Sequence, residues 1–199
     1  MNIVLVSSEV EPLAKTGGLA DVTASLSMAL RRLKHRVSII MPFYGGIASS
    51  HPEIRDAGFS VKIPLEGRLQ EGTVWSTRLN GVPVYLIRHA ALYHRDGLYG
   101  SGGTDYPDNA LRFGFLARGA LEVAKAAGLE PDVFHIHDWQ TALLPVYRHH
   151  YYRQEPALGQ AGVVLTIHNL AYQGLFDRDV LPALDLPADL FHMDGLEFY

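Results

Sequence analysis

The stretch NIVLVSSEVEPLAKTGGLADVTASLSMALRRLKHRVSIIM, from Asn2 to Met41, decides the fold. Asn2 to Ser7 is β-branched and nearly all apolar, the composition of a parallel strand covered on both faces. A loop from Ser8 to Gly18 follows, carrying Pro12 and the pair Gly17-Gly18. From Leu19 the apolar residues Leu19, Val22, Leu26, Leu30 and Leu33 keep the spacing of one helical face. Val37 to Met41 returns to strand composition, and Pro42 ends it. This is a βαβ unit, whose crossover is right-handed by the usual chirality of such connections.

Beyond this unit the pattern changes. Phe59 to Ile63, Thr73 to Leu79 and Val82 to Ile87 read as strands, the last two joined by Asn80-Gly81, a strong hairpin signal. Ala90 to Tyr106 is rich in glycine and tyrosine and has no periodicity, as expected of a mobile segment or part of a site. Alternation then resumes. A helix is expected from about Pro107, a favourable first helical position, to Gly128, a natural stop. Val133 to His137 reads as a strand, Trp139 to about Arg153 as a helix, and Val163 to Ile167 as another strand. No internal repeat, low-complexity tract or interdomain linker interrupts this order. The pattern predicts one α/β domain over residues 1–199, with a Rossmann-like, mostly parallel sheet, helices on both faces and an inserted β-hairpin.

Composition narrows the function. The 199 residues are 48% hydrophobic and 19% charged, enough for a packed core. A formal net charge of -4 with no long basic run argues against nucleic acid as a partner. The absence of cysteine excludes disulfides, thiolate metal sites and cysteine nucleophiles, and suits a reducing cytoplasm. The apolar run Ile3 to Val6 is too short for a signal-peptide core or a membrane span. The expectation is a cytoplasmic protein without a membrane partner.

Ligands of open α/β sheets bind beyond the carboxyl ends of the strands, and three polar clusters fall there: Glu9 to Gly18 after the first strand, His137-Asp138-Trp139 after one late strand, and His168-Asn169 after the next. Lys15-Thr16-Gly17-Gly18-Leu19 sets two glycines at a helix start, where backbone N–H groups and the helix dipole favour an anion. It is neither a Walker A loop nor the three-glycine dinucleotide fingerprint, and a tight turn beside a solvated lysine is the plain alternative. His135 and His137 share a strand face, the spacing of a metal pair, but no third ligand accompanies them. Asp138 precedes a helix, so it either caps that helix or accepts a sugar hydroxyl. His168, followed by Asn169, serves as a general acid/base, as a sugar contact, or as a packed strand end. Tyr93, Tyr99 and Tyr106 offer stacking faces, or form a local aromatic cluster.

Taken together, SSEVEPLAKTGGLADV, LYHRDGLYG, PDNALRFGFLARGAL, HIHDWQTAL, TIHNLAYQG and the closing GLEFY resemble bacterial glycogen synthases and plant starch synthases over essentially the whole chain. The resemblance implies the N-terminal domain of a GT-B glycosyltransferase, in which two Rossmann-like domains face each other across a cleft. It implies transfer of glucose from ADP-glucose to the non-reducing 4-hydroxyl of an α-1,4-glucan, with retention and with neither cofactor nor metal. Lys15, Gly17 and Gly18 would lie against the donor diphosphate or its glucose, and Tyr93 would line the donor site. Asp138 matches the aspartate of the HxHDW motif. His168 matches the histidine beside the transferred glucose, with Asn169 next to it among the substrate-binding residues. The family's C-terminal domain, which supplies most nucleotide contacts, would be absent from this chain, so little or no activity is expected of residues 1–199 alone. The competing readings are a non-catalytic glucan-binding module and a generic nucleotide-binding Rossmann domain. UDP-glucose is the rival donor.

Overall fold

The computed structural model describes residues 1–197; the last two residues of the GLEFY segment, 198 and 199, lie outside the described residues. In chain order the elements are β1 (Asn2–Val6), α1 (Gly18–Arg32), β2 (Arg36–Pro42), α2 (Ile47–Ser50), β3 (Arg55–Leu65), β4 (Arg68–Leu79) and β5 (Val82–Arg88). There follow α3 (Ala90–Tyr93), β6 (Gly100–Ser101), β7 (Thr104–Asp105), α4 (Asn109–Ala126), β8 (Val133–His137), α5 (Leu144–Tyr151), β9 (Gly162–Thr166) and α6 (Val180–Ala183).

Seven strands form one sheet in the order β3-β4-β5-β2-β1-β8-β9. β1 runs parallel to both β2 and β8, in register Val4↔Ser38 and Val4↔Phe134. β5 joins β2 in parallel, and β9 joins β8 in parallel. Only β4 runs against its neighbours. The hairpin expected at Asn80-Gly81 is present, with φ of 50° and 82°. Both left-handed residues match the primed turn that the strand twist prefers. The antiparallel excursion is longer than the strand composition indicates. Glu66-Gly67 makes a second tight turn, with φ of 53° and 71°, and lets β3 and β4 run from 55 to 79 as one ribbon.

The core follows from the composition of the central strands. Leu5, Val6, Ile39, Ile40, Val84, Leu86 and Phe134 are fully buried, as doubly covered parallel strands require. α1 packs on β2 and β5, whereas α4 lies across β1, β2 and β3 with α5 beside it. From β1 to β2 the sheet grows one way, and from β8 to β9 it grows the other. With right-handed crossovers this places α1 on one face and α4 with α5 on the opposite one. The reversal lies between β1 and β8, and that switch point is where open sheets of this kind form their crevice.

Two expected helices change their bounds. Pro107 stays outside α4, which begins at Asn109, because Asp108 is held by a bidentate ion pair with Arg95 (2.6 and 2.7 Å). The helix expected from Trp139 to Arg153 divides into a 3₁₀ turn (Trp139–Thr141) and α5. The irregular segment 90–106 is pinned from beneath by Arg112, which is fully buried. Its guanidinium donates to Leu92 O, Leu98 O and Asn109 Oδ1 (2.6 to 2.8 Å). Among the described residues no helix is long and apolar enough to cross a membrane.

Candidate functional site

At the switch point, the loops after β1, β8 and β9 enclose a cleft of about 630 Å3. Gly17 and Gly18 form one wall, and Asp138, His168 and Asn169 form the other, with Tyr99 between them. Five of the seven predicted site residues therefore meet at one place. Each reaches it because a parallel strand delivers its C-terminal loop to the same edge of the sheet.

The β1 loop is built on Glu9, which opens the first polar cluster of the sequence but had no role of its own there. Its carboxylate is 3% exposed. It accepts hydrogen bonds from Thr16 N (2.5 Å), Thr16 Oγ1 (2.6 Å), Gly17 N (3.3 Å) and the Tyr99 hydroxyl (2.6 Å). The amides of Thr16 and Gly17 are thus satisfied internally. Those of the first turn of α1, from Gly18 onward, face the cleft end of the helix without a side-chain cap. The only sequence signal for Glu9 was an acidic residue just beyond a strand and ahead of a Gly-Gly turn.

Gly17 and Gly18 are not demanded by the fold. Gly17 is extended (φ -155°), and a Cβ built at either position meets no atom within 4 Å. The room they leave opens outward.

Lys15 sits on the rim and not in the lining. Its Nζ donates to Asp21 Oδ1 at 2.7 Å and lies 3.7 Å from Glu11. The Asp21 contact, foremost, raises the pKa of Lys15 above its ordinary value. Both pairs are exposed, so the ammonium can exchange partners at small cost.

Tyr93 corrects the expectation. It is fully buried, donates to Arg112 O at 2.8 Å, and packs edge-on against Tyr44 and Phe115. As the last residue of α3 it turns into the core between the sheet and α4, so it lines no part of the cleft. Of the three tyrosines, Tyr99 lines the cleft, bonded to Glu9 and to Ser8 Oγ (2.8 Å). Tyr106 packs against the guanidinium groups of Arg95 and Arg112, 5.0 and 4.9 Å from its ring centre.

Asp138 is not the cap of the turn that follows it, which has no side-chain cap. Its Oδ1 accepts instead from the backbone N–H of His168 at 2.6 Å, tying the β8 and β9 loops together. Its backbone is left-handed (φ 57°, ψ -176°), a region that non-glycine residues occupy only under constraint. Asn169 Oδ1 accepts from Ala171 N at 3.0 Å and shapes the loop beyond His168.

The histidines do not converge on a metal. His135 and His137 lie face to face, 4.5 Å apart at 22°. His135 Nε2 is engaged with Thr166 Oγ1 at 2.7 Å. His137 Nδ1 lies 2.9 Å from His168 Nε2. Among the described residues no group of three or more candidate ligands is placed to hold a metal ion.

Burial, and then the neighbouring His135 and His168, push the pKa of His137 down to about 3 from 6.5. Below pH 6.5 the unfolded chain takes up a proton that the folded ring refuses until about pH 3. Stability is therefore lost as pH falls through this window, by up to about 1.4 kcal/mol per pH unit. Urea unfolding at pH 7 and pH 4.5 should show a larger loss for the wild type than for His137→Leu. Equal losses would contradict it.

A separate cavity of about 340 Å3 lies behind Trp139, lined by Phe113, Phe176, Leu181 and Leu184. It is mostly apolar and shares Trp139 and Gln140 with the cleft.

Comparison with known proteins agrees with this architecture. The family model described as "Starch synthase catalytic domain" matches residues 2–199. Glycogen synthase 2 of Geobacter metallireducens is 46% identical over all of this chain, which spans 41% of that protein. The glycogen synthase of Geotalea uraniireducens is 45% identical over the same shares. Among solved structures, the catalytic domain of starch synthase IV from Arabidopsis thaliana, bound to ADP and acarbose, superposes with a TM-score of 0.88 at 32% identity. That match covers 97% of this chain and 39% of the other. The chain thus spans about two fifths of the length of these relatives, and it belongs to the starch synthase catalytic domain family.

Proposed function

We propose that this chain is the N-terminal half of a retaining glucosyltransferase that moves glucose from ADP-glucose to the non-reducing 4-hydroxyl of an α-1,4-glucan. The observation that carries the reading is the unfilled space at Gly17 and Gly18, beside the uncapped start of α1. Packing does not require glycine there, but a ligand held against the backbone does. The N-terminal end of a 15-residue helix suits the oxygens of a diphosphate or a sugar. Asp138 and His168 would face the transferred glucose from the opposite wall. The carbonyl of His168 would sit beside the reacting carbon and stabilise its developing positive charge, an electrostatic contribution without proton transfer. The acceptor hydroxyl would attack on the face from which ADP departs, with the diphosphate taking its proton.

The longer protein would supply a second domain facing this cleft, with most of the grip on the nucleotide. Residues 1–199 alone would then show little or no turnover.

Gly18→Ala tests the reading. Gly18 opens α1 without a left-handed backbone, so alanine should hold or raise stability, by about 0.5–1 kcal/mol. The same methyl group would intrude on the donor. In the full-length protein a higher melting temperature is expected together with an activity at least about tenfold lower. Unchanged kcat/KM for ADP-glucose would refute the placement. A preference for UDP-glucose over ADP-glucose in the wild type would revise the donor alone.

A further inference from the structure

We propose that His137 is a positioning residue that holds His168 as its Nδ1–H tautomer, so that His168 meets substrate as a hydrogen-bond donor and not as a base. The inference rests on the reading above in one respect, that His168 faces the transferred sugar.

The geometry leaves two arrangements for one proton. The rings of His137 and His168 have centres 5.2 Å apart and planes inclined by 30°. Their Nδ1 and Nε2 atoms are 2.9 Å apart. Rings at that separation with nitrogens so close lie side by side, and a hydrogen bond runs between their edges. Either His137 Nδ1–H donates to His168 Nε2, or His168 Nε2–H donates to His137 Nδ1.

The far edge of His137 decides between them. His137 is fully buried, and its Nε2 has no hydrogen-bond partner. A neutral imidazole carries one N–H, and burial in this stack keeps His137 neutral. If its proton sat on Nε2, a buried N–H would be orphaned, which folded proteins rarely tolerate. With the proton on Nδ1, only a lone pair is left unmatched, and the N–H is satisfied by His168. His168 then accepts at Nε2 and carries its own proton on Nδ1.

Two anchors keep this ring in place. Its backbone N–H is held by Asp138 Oδ1 at 2.6 Å, and its Nε2 by His137. Both anchors come from the end of β8. The partly exposed ring lines the cleft with Nδ1 as its remaining polar atom. An Nδ1–H there matches a hydroxyl or phosphate oxygen acting as acceptor. No lone pair of His168 is available to remove a proton from an attacking hydroxyl, so that proton must go elsewhere.

The test is two-bond 1H–15N correlation NMR on the full-length protein carrying 15N-labelled histidine. The His168 signals are those lost in His168→Gln. Wild type should show His168 protonated at Nδ1. His137→Asn retains an N–H near the position of Nδ1. It should keep that tautomer and keep kcat within about threefold, on the scale of a conserved outer hydrogen bond. His137→Leu removes the donor. It should release His168 into a tautomer mixture and lower kcat by about tenfold or more. A wild-type His168 protonated at Nε2 overturns the proposal whatever the activities, as do identical His168 spectra in the Asn and Leu variants. A shifted tautomer in His137→Leu with unchanged kcat upholds the role of His137 and overturns the sugar contact instead. The wild-type and Asn measurements decide the matter even if the Leu variant does not fold.

Discussion

Replacing Arg112 by leucine is expected to destabilise the domain by about 3–5 kcal/mol, the cost of leaving three acceptors without their donor at about 1–3 kcal/mol each. The melting midpoint should fall by on the order of 10 °C. The guanidinium closes three acceptors at once, the carbonyls of Leu92 and Leu98 and the side-chain oxygen of Asn109. Leucine has no donor to offer, so these oxygens would be left buried without partners. The loss is not confined to one bond, because the same side chain lies against Tyr106 and Phe113. Segment 90–106 would lose its inner tether while keeping the outer one, the ion pair of Arg95 with Asp108. Hydrogen exchange should therefore quicken first in that segment, and only then in the central strands. A variant within about 1 kcal/mol of wild type, measured by urea unfolding, would show that Arg112 is not the tether.

The second large effect is expected at Asp138. In the full-length protein, Asp138→Ala should lower kcat by about 10²- to 10³-fold, the scale of misplacing a group at a reacting centre or losing one electrostatic partner. Asp138 secures His168 through a 2.6 Å bond to its backbone N–H, while its own backbone is held left-handed. Its N–H donates to Thr166 O at 2.9 Å, and its carbonyl accepts from Thr141. Asp138→Gly separates the two roles. Glycine adopts the required φ without strain, so it should be more stable than the alanine variant while its activity falls as far. If the glycine variant regains activity along with stability, the carboxylate is not needed in the cleft. Backbone shape alone would then explain the aspartate.

Much of this architecture was legible in the chain. The run from Asn2 to Met41 specifies a βαβ unit because an apolar strand, a helical face of period 3.6 and a second apolar strand admit few other arrangements. Asn80-Gly81 specifies its turn because both residues tolerate positive φ. The cleft was legible at the level of address. Gly17, Gly18, Asp138, His168 and Asn169 each follow a parallel strand, and strands that run parallel deliver their loops to one edge.

What each side chain does there depended on partners distant in sequence. Glu9 falls in the first polar cluster, but its role was not readable there, because it accepts from Thr16, Gly17 and, from 90 residues away, Tyr99. Asp138 read as either a helix cap or an acceptor for a sugar hydroxyl, because local sequence cannot reveal that His168, 30 residues on, presents its N–H at 2.6 Å. Tyr93 read as a cleft aromatic, but a short helix turns it inward, and burial of a ring with one satisfied hydroxyl outweighs its exposure.

Local chemistry and periodicity therefore determined the sheet, its crossovers and the edge at which the cleft opens. Only the tertiary structure decided which buried groups pair across loops, that His137 and His168 meet nitrogen to nitrogen at 2.9 Å, and that Tyr99, not Tyr93, lines the cleft. The reason is physical. Backbone conformation is set by neighbours along the chain, whereas the satisfaction of a buried polar group is set by whatever the completed fold brings within about 3 Å of it.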